Sequence, residues 1–247
     1  MDSEMLTRAQ IKRRAKEQLR QRGVWGQMMI ANLLPWVITV VFTLLTAWGI
    51  VTLATNFGMT RMVSDPQGFA TYYSNHADTS SSMLQSLVSL WFTQGIAFTA
   101  LDLYRGDLKT VHPLKTLFRL FNGTYFFGIL LVAIGLRILL FLGILAFVIP
   151  GILIYFGMAM CFYAYYDGKR TAESGHYGAF QALGASWVLM RGFKLDYFVL
   201  QLSLLGWTLL KLVTWHLFDF MIDPYLQLVD AGFYDNVRRY HQQSAGQ

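Results

Sequence analysis

Two basic residues, Arg137 and Lys211, stand inside long apolar stretches of this sequence. Arg137 lies about 13 residues into the stretch 124–149, and Lys211 lies about 14 residues into 197–222. If both stretches are helices that cross a membrane in the same direction, the two cations lie near its midplane, at one depth. Burying such a charge costs several kcal/mol unless it is paired. Arg137 and Lys211 are therefore the first residues for which the sequence predicts an ion pair or a ligand.

The nearest candidate counter-ions are three aspartates, Asp219, Asp223 and Asp230. Two like charges at one depth repel each other unless a carboxylate or a bound anion lies between them. One interpretation is therefore a set of internal salt bridges that fixes helix packing. The sharper alternative is a site for an anionic lipid headgroup or amphiphile, and a third is that the long side chains reach towards water.

His216, Asp219 and Asp223 follow one another at spacings of three and four residues. On a single helix this spacing presents all three side chains on one face, where they could bind a cation or relay protons. No HExxH or comparable zinc signature accompanies them, so a hydrogen-bonded polar seam is the favoured interpretation. The sequence predicts neither a metal site nor a cofactor.

Four further charged residues are predicted at the cytoplasmic ends of helices: Asp102, Arg105, Lys194 and Asp196. Asp102 and Arg105 close an apolar stretch, and they could pair with each other or with Lys194 and Asp196. We interpret this set as a structural clasp first and as a gate second.

No residue is predicted to be catalytic. Ser186 would need His216 as its base, and that pair would have to bridge most of the bilayer. Cys161 is the single cysteine, which excludes a disulfide framework or a cysteine-based zinc site. It lies in an apolar run, where a small buried hydrophobic side chain is the favoured interpretation.

The distribution of apolar residues predicts the class of protein that carries these charges. The chain has 247 residues, of which 55% are hydrophobic and only 14% are charged, whereas soluble domains carry about 25% charged residues. We predict an all-α polytopic transmembrane bundle. Pro35 is a predicted kink in the first span, and Pro150 with Gly151 forms a predicted reversal. The five clear spans are 24–55, 83–103, 124–149, 151–166 and 197–222.

The N-terminal segment 1–23 holds seven basic residues. Thr7 and Gln10 have the spacing of a capping box, and Ile11, Ala15 and Leu19 form a narrow apolar stripe. This pattern is typical of an amphipathic helix on anionic headgroups, so membrane lipids are the expected partners. Nucleic acid is not an expected partner, because a basic flank is usual beside a first membrane span.

Basic residues also predict the orientation and the number of spans. With the N-terminus, 104–123, 167–196 and the C-terminus on the cytoplasmic side, 17 of the 20 basic residues lie there. This requires the short, polar segment 224–237 to return across the membrane as a sixth helix, while 176–190 forms an interfacial helix. The expected organisation is a helix at 1–23, one membrane domain at 24–240 and a polar tail at 241–247.

Several short motifs occur in an order that resembles a known family: LDLYRG at 101–106, IPGI at 149–152, LMRGFK at 189–194, LSLLGW at 202–207, and PY at 224–225 followed by AGFY at 231–234. Together they resemble the bacterial membrane family catalogued as domain of unknown function 975, from Arg13 onward. Phe193 and the long polar connection 56–82 depart from the family pattern. The resemblance implies a six-helix protein of a bacterial plasma membrane and transfers no catalytic residue.

Three functions remain open from the sequence. The first is non-enzymatic binding or transport of an anionic amphiphile at the midplane cations. The second is an accessory or immunity-type role through a protein partner, contacted by the connection 56–82. The third is an intramembrane hydrolase.

Overall fold

The computed structural model describes residues 5–21, 23–76, 79–172 and 177–245, and all regular elements in this part of the chain are helices. Arg22, His176 and the last two residues of the predicted polar tail lie outside it. The helices are α1 (Arg8–Arg20), α2 (Val24–Phe57), α3 (Met59–Ser64), α4 (Pro66–His76), α5 (Thr79–Arg105), α6 (Pro113–Phe118), α7 (Phe126–Ala146), α8 (Val148–Gly157), α9 (Cys161–Thr171), α10 (Ala179–Leu189), α11 (Lys194–Val213) and α12 (Asp219–Ala245).

Five helical segments of the described residues are long and apolar enough to cross a membrane. A bilayer core about 30 Å thick needs about 20 residues of helix, and each segment meets this length. The predicted all-α membrane bundle is confirmed. The five segments are α2, Gln85–Arg105 within α5, α7, α8 with α9 (Val148–Thr171), and α11.

The chain folds into two compact units. Unit 1 comprises Met1–Asn32 and Trp91–Gln247, and unit 2 comprises Leu33–Leu90. Unit 2 contains α3 and α4, so most of the predicted polar connection 56–82 is helical. Aromatic contacts join its parts: the rings of Phe57 and Phe69 are 5.5 Å apart, and those of Tyr72 and His76 are stacked at 4.1 Å.

The predicted hairpin between the third and fourth spans is present, but the chain reverses at Phe147, before the predicted position at Pro150 and Gly151. Phe147 is extended between α7 and α8, and Pro150 lies in the first turn of α8. Proline is tolerated there because the first amides of a helix have no intrahelical partner. Gly151 instead allows close packing, since a Cβ there would lie 2.8 Å from Ile144 Cγ1.

The N-terminal helix differs in its surroundings from the prediction. Its capping box forms between Thr7 and Gln10, but α1 packs on α12 and its apolar stripe is covered by protein. Ile11 and Ala15 are fully buried. The side chain of Asn236 bonds to the backbone N–H and carbonyl of Leu6, at 2.9 and 3.0 Å. The stripe was expected to face lipid headgroups, but Ile11 and Ala15 are buried by protein instead.

The last two helices have different boundaries from those predicted. α11 ends at Val213 and does not continue to residue 222. α12 is a continuous helix of 27 residues that passes through Pro224, so it is not the short segment that was expected. Its side chains meet α11 in antiparallel order, with Gln201 bonded to Asp230 and Lys211 bonded to Asp223. α12 therefore extends along α11, although its charges keep it outside the set of apolar spans.

The helix predicted over 176–190 is present as α10, and the apolar residues that predict it are only partly buried. Phe180, Leu183, Trp187 and Met190 recur at helical spacing in the sequence. Leu183 and Met190 are buried, whereas Phe180 is 86% exposed. The buried face also includes three small residues, Ala179, Ala182 and Ser186. Small side chains let α10 pack directly on α7 and α9, so it is more than a surface helix.

Candidate functional site

The C-terminal end of α5 positions two of the predicted clasp residues. Gly106 adopts a left-handed conformation with φ of 86°. Its N–H bonds to the Leu103 carbonyl, and the next N–H, that of Asp107, bonds to the Asp102 carbonyl. This is a Schellman motif, which glycine favours because it has no Cβ. Asp102 and Arg105 therefore lie in the final turn of α5, with their backbone fixed.

Arg105 is the centre of a buried set of ion pairs. Its Nη1 and Nη2 donate to the two carboxylate oxygens of Asp167 at 2.7 and 2.6 Å, and its Nε donates to Asp235 Oδ1 at 2.8 Å. Asp167 also accepts from Arg238 and from the Tyr234 hydroxyl. The fork of one guanidinium thus joins α5, α9 and α12.

Asp102 forms a second set of contacts beside the first. It accepts hydrogen bonds from Arg119 Nη2 at 2.6 Å and Arg170 Nη1 at 2.9 Å. The Tyr166 hydroxyl donates to Asp102 Oδ2 at 2.9 Å and accepts from Arg119. Tyr125, whose ring lies 5.9 Å from that of Tyr166, has its pKa raised by burial and stays neutral at physiological pH.

We call these residues the aspartate–arginine cluster. Its three carboxylates are less than 5% exposed, and each has at least two charged donors, because Arg239 also binds Asp235. Burying a carboxylate in this way is tolerated only when it is fully paired. The cluster therefore acts first as a structural clasp. It consists of Asp102, Arg105, Arg119, Tyr166, Asp167, Arg170, Tyr234, Asp235, Arg238 and Arg239.

The predicted partners within the clasp were wrong. Asp102 and Arg105 do not pair with each other, because Asp102 binds Arg119 and Arg170 and Arg105 binds two other carboxylates. Lys194 lies over the Trp187 ring at 3.4 Å from its centre, and Asp196 pairs with Arg8 at 3.2 Å on the surface. Sequence reasoning missed Asp167 and Asp235, which follow tyrosine in the segments YYD and FYD. That shared pattern is the signal that could have identified them.

Lys211 is neutralised within the protein. Its Nζ lies 2.7 Å from Asp223 Oδ1 and 3.3 Å from Asp219 Oδ2, and His216 Nδ1 is 2.9 Å from Asp219 Oδ2. The salt-bridge interpretation therefore describes this residue. The expectation that His216, Asp219 and Asp223 share one helix face was wrong, because His216 lies in the turn before α12 with φ of 61°. The turn brings the four side chains together.

Arg137 has a different environment from Lys211. It lies at the twelfth of the 21 positions of α7, about two and a half turns or more from either end. Its side chain is exposed, and among the described residues it has neither a hydrogen bond nor an ion pair. Lys211 lies in the last turn of α11. The two cations therefore occupy different positions along their helices, and their shared depth in a membrane stays a prediction.

Asp230 does not bind a cation in the described part of the chain. Its Oδ1 accepts from Gln201 Nε2 at 2.8 Å and from the Tyr197 hydroxyl at 3.3 Å. Both donors are neutral and belong to α11. The carboxyl group is partly buried between the two helices, so it contributes no counter-charge to Lys211.

The remaining candidates have structural environments. The Ser186 hydroxyl donates to the Gly157 carbonyl at 3.0 Å, far along the chain from the turn that holds His216. Cys161 is buried. Over residues 5–21, 23–76, 79–172 and 177–245, no three His, Cys, Asp or Glu side chains are arranged to hold a metal ion.

The helices and their buried charges define an α-helical membrane protein. Residues 152–241 match the model of a family described as protein of unknown function (DUF975). This confirms the resemblance over the part of the chain from α8 to α12, which includes Asp167, Asp230 and Asp235. No curated protein and no solved structure matches the chain.

Proposed function

We propose that the protein is a non-enzymatic membrane protein that binds or moves an anionic lipid or amphiphile, with Arg137 as the contact for the anionic group. The single observation behind the proposal is the exposed, unpaired guanidinium in the middle of a span. The earlier expectation used Lys211 as well, but Asp219 and Asp223 neutralise that residue. Arg137 therefore carries the proposal alone.

The surroundings of Arg137 favour an amphiphile over a small ion. Ile134, Ile138 and Phe141 lie on the same side of α7 and are about half exposed or more. A hydrocarbon chain against these residues would place its anionic group beside the guanidinium. An unpaired arginine at the centre of a bilayer costs several kcal/mol, and a phosphate or carboxylate oxygen offsets this cost through charge-assisted hydrogen bonds.

The proposal includes location and orientation. We propose the bacterial plasma membrane with both termini on the cytoplasmic side, since 17 of the 20 basic residues then lie on that side. In this orientation the aspartate–arginine cluster is at the cytoplasmic end of α5 and α9, and the turn after Val213 is at the opposite end.

Lipid co-purification tests the proposal. Wild type and Arg137→Gln would be purified from the same membranes, and bound anionic lipid would be quantified by mass spectrometry. We expect the variant to lose about tenfold, the effect of roughly 1.4 kcal/mol of charge-assisted hydrogen bonding. Arg137→Lys, which keeps the charge, should retain most of the lipid. Arg61→Gln is the matched control, because Arg61 is an exposed cation of unit 2. Equal lipid in wild type and Arg137→Gln would overturn the proposal.

A second candidate function is an accessory role through a protein partner. Its support is the helical order of the connection 56–82, where α3 and α4 belong to a compact unit separate from the aspartate–arginine cluster. Replacing 59–76 by a flexible linker of equal length tests this idea in a deletion strain. Full complementation of the strain's phenotype by that variant would count against the partner role.

A further inference from the structure

Asp230 of α12 contacts α11, and its carboxylate has no cationic partner among the described residues. The contrast with Asp223, on the same helix, is direct: Asp223 lies 2.7 Å from Lys211 Nζ, whereas no cation lies within 4.0 Å of Asp230. α11 is a candidate membrane span, and Asp230 meets its first two turns. An ionised carboxylate without a counter-charge costs several kcal/mol in such surroundings.

The two oxygens of Asp230 have different surroundings. Gln201 and Tyr197 both donate to Oδ1. Oδ2 has no hydrogen-bond partner in the part of the chain that the structure describes. A protonated carboxylic acid has the same asymmetry: its carbonyl oxygen accepts hydrogen bonds, and its other oxygen carries the proton.

Most of the charged groups on the neighbouring helices that could approach Asp230 have other partners. On α1, Arg14 lies over the Tyr104 ring and Lys16 over the Tyr225 ring, while Arg8 pairs with Asp196. The other cations that could approach bind their own partners: Arg105, Arg238 and Arg239 within the aspartate–arginine cluster, Lys194 on Trp187, and Lys211 on Asp223.

The titratable groups that interact with Asp230 are phenols. Tyr163 on α9 and Tyr197 on α11 both interact electrostatically with its carboxyl group. A neutral phenol does not compensate a negative charge. Among the described residues, Asp230 therefore has two hydrogen-bond donors and no cation within 4.0 Å.

We propose that Asp230 is a proton-binding site, with the proton on Oδ2 and with Oδ1 held by Gln201 and Tyr197. Binding converts the carboxylate to a neutral carboxylic acid, and release returns the proton to water. The ligand is thus a proton taken up and released within the helix bundle. This inference is independent of Arg137 and does not rest on the proposed lipid function.

Infrared spectroscopy of the purified full-length protein tests the site. A protonated carboxylic acid has a carbonyl stretching band that an ionised carboxylate lacks. We expect wild type in potassium buffer at neutral pH to show this band and Asp230→Asn to lose it. Asp223→Asn is the matched control on the same helix, and it should retain the band because Asp223 is paired with Lys211. A band that survives in Asp230→Asn, or is absent from wild type, would overturn the proposal.

A second variant keeps the test valid if Asp230→Asn does not fold. Tyr197→Phe removes one hydrogen bond to Oδ1 and leaves the carboxyl group in place. The band should remain at equal amplitude and shift to higher wavenumber, because its carbonyl oxygen accepts one bond fewer. No shift would contradict the assignment of Oδ1 as the carbonyl oxygen. Loss of the wild-type band when sodium replaces potassium would identify sodium as the ligand and overturn the proton assignment.

Discussion

The aspartate–arginine cluster and Arg137 place charge in apolar helices in opposite ways. In the cluster, three buried carboxylates from α5, α9 and α12 are bound by five arginines. Arg137 is a single exposed cation with neither an ion pair nor a hydrogen bond in the described residues. The charges of the cluster are paired within the chain, whereas Arg137 is the residue for which we propose an anion from outside the chain.

This difference separates stability from binding. Removing one partner of a buried ion pair leaves an uncompensated charge, which costs more than the pair contributes. An exposed cation has no such partner, so its removal leaves nothing unsatisfied in the protein. Variants in the cluster should therefore change unfolding, and variants of Arg137 should change bound lipid.

The largest effect on stability is expected from Asp167→Asn. Asparagine keeps the shape but removes the negative charge that faces Arg105 and Arg238. We expect a loss of about 3–5 kcal/mol in the free energy of unfolding, the usual cost of breaking a buried pair. Thermal unfolding in detergent, with the yield of folded protein, measures it.

Asp107→Asn is the control for that experiment. Asp107 is half exposed and lies 3.6 Å from Arg170, so its loss should change stability by less than about 1 kcal/mol. Equal destabilisation by the two variants would show that the cluster is not a special stabilising element.

The next effect is expected from Arg105→Lys. Lysine keeps the positive charge but cannot donate to Asp167 in a fork and to Asp235 at the same time. We expect a loss of about 1–3 kcal/mol, measured by the same unfolding assay. Unchanged stability would indicate that charge alone, and not the geometry of the guanidinium, holds the three helices.

A similar effect is expected from Lys211→Met. The change leaves Asp219 and Asp223 facing each other without a cation, and both are partly open to their surroundings. We expect a loss of about 2 kcal/mol, with about 1 kcal/mol recovered when Asp223→Asn is added. A double-mutant cycle measures this coupling, and strictly additive losses would argue against the ion pair.

The smallest effect on stability is expected from Arg137→Leu. Leucine fits the apolar face of α7 and leaves no buried group unpaired, so the free energy of unfolding should change by less than about 0.5 kcal/mol. A loss comparable with that of Asp167→Asn would mean that Arg137 belongs to the structural charges, and the comparison between the two regions would fail.

Sequence reasoning located the helices because hydropathy is a local property. α2, α7 and the start of α11 lie within a few residues of the predicted spans. The capping box of α1 was predicted correctly because its two residues lie only three positions apart. The end of α11 was missed for a local reason too. Trp215 and His216 occupy left-handed conformations in a Schellman motif, where glycine is usual, and apolar residues continue through the turn.

The pairing of charges was much less predictable than the helices. Asp102, Asp167 and Asp235 lie more than 60 residues from one another, and nothing in their local sequence identifies Arg119, Arg105 or Arg238 as partners. Arg137 and Lys211 are alike in sequence, since each interrupts an apolar stretch. They differ because the turn between α11 and α12 brings Asp219 and Asp223 to Lys211. In the described residues, no carboxylate pairs with Arg137.

The sequence by itself determined that this protein is a helical membrane protein, because the length and apolar composition of each span depend only on neighbouring residues. It also determined which charges are costly. Only the tertiary structure decided which charges are compensated, because compensation depends on helix ends that meet across long stretches of chain. The packing of α5, α9 and α12 pairs the charges of the aspartate–arginine cluster. In the described residues it leaves Arg137 and Asp230 without an ion pair, and these are the two residues for which we propose a ligand from outside the protein.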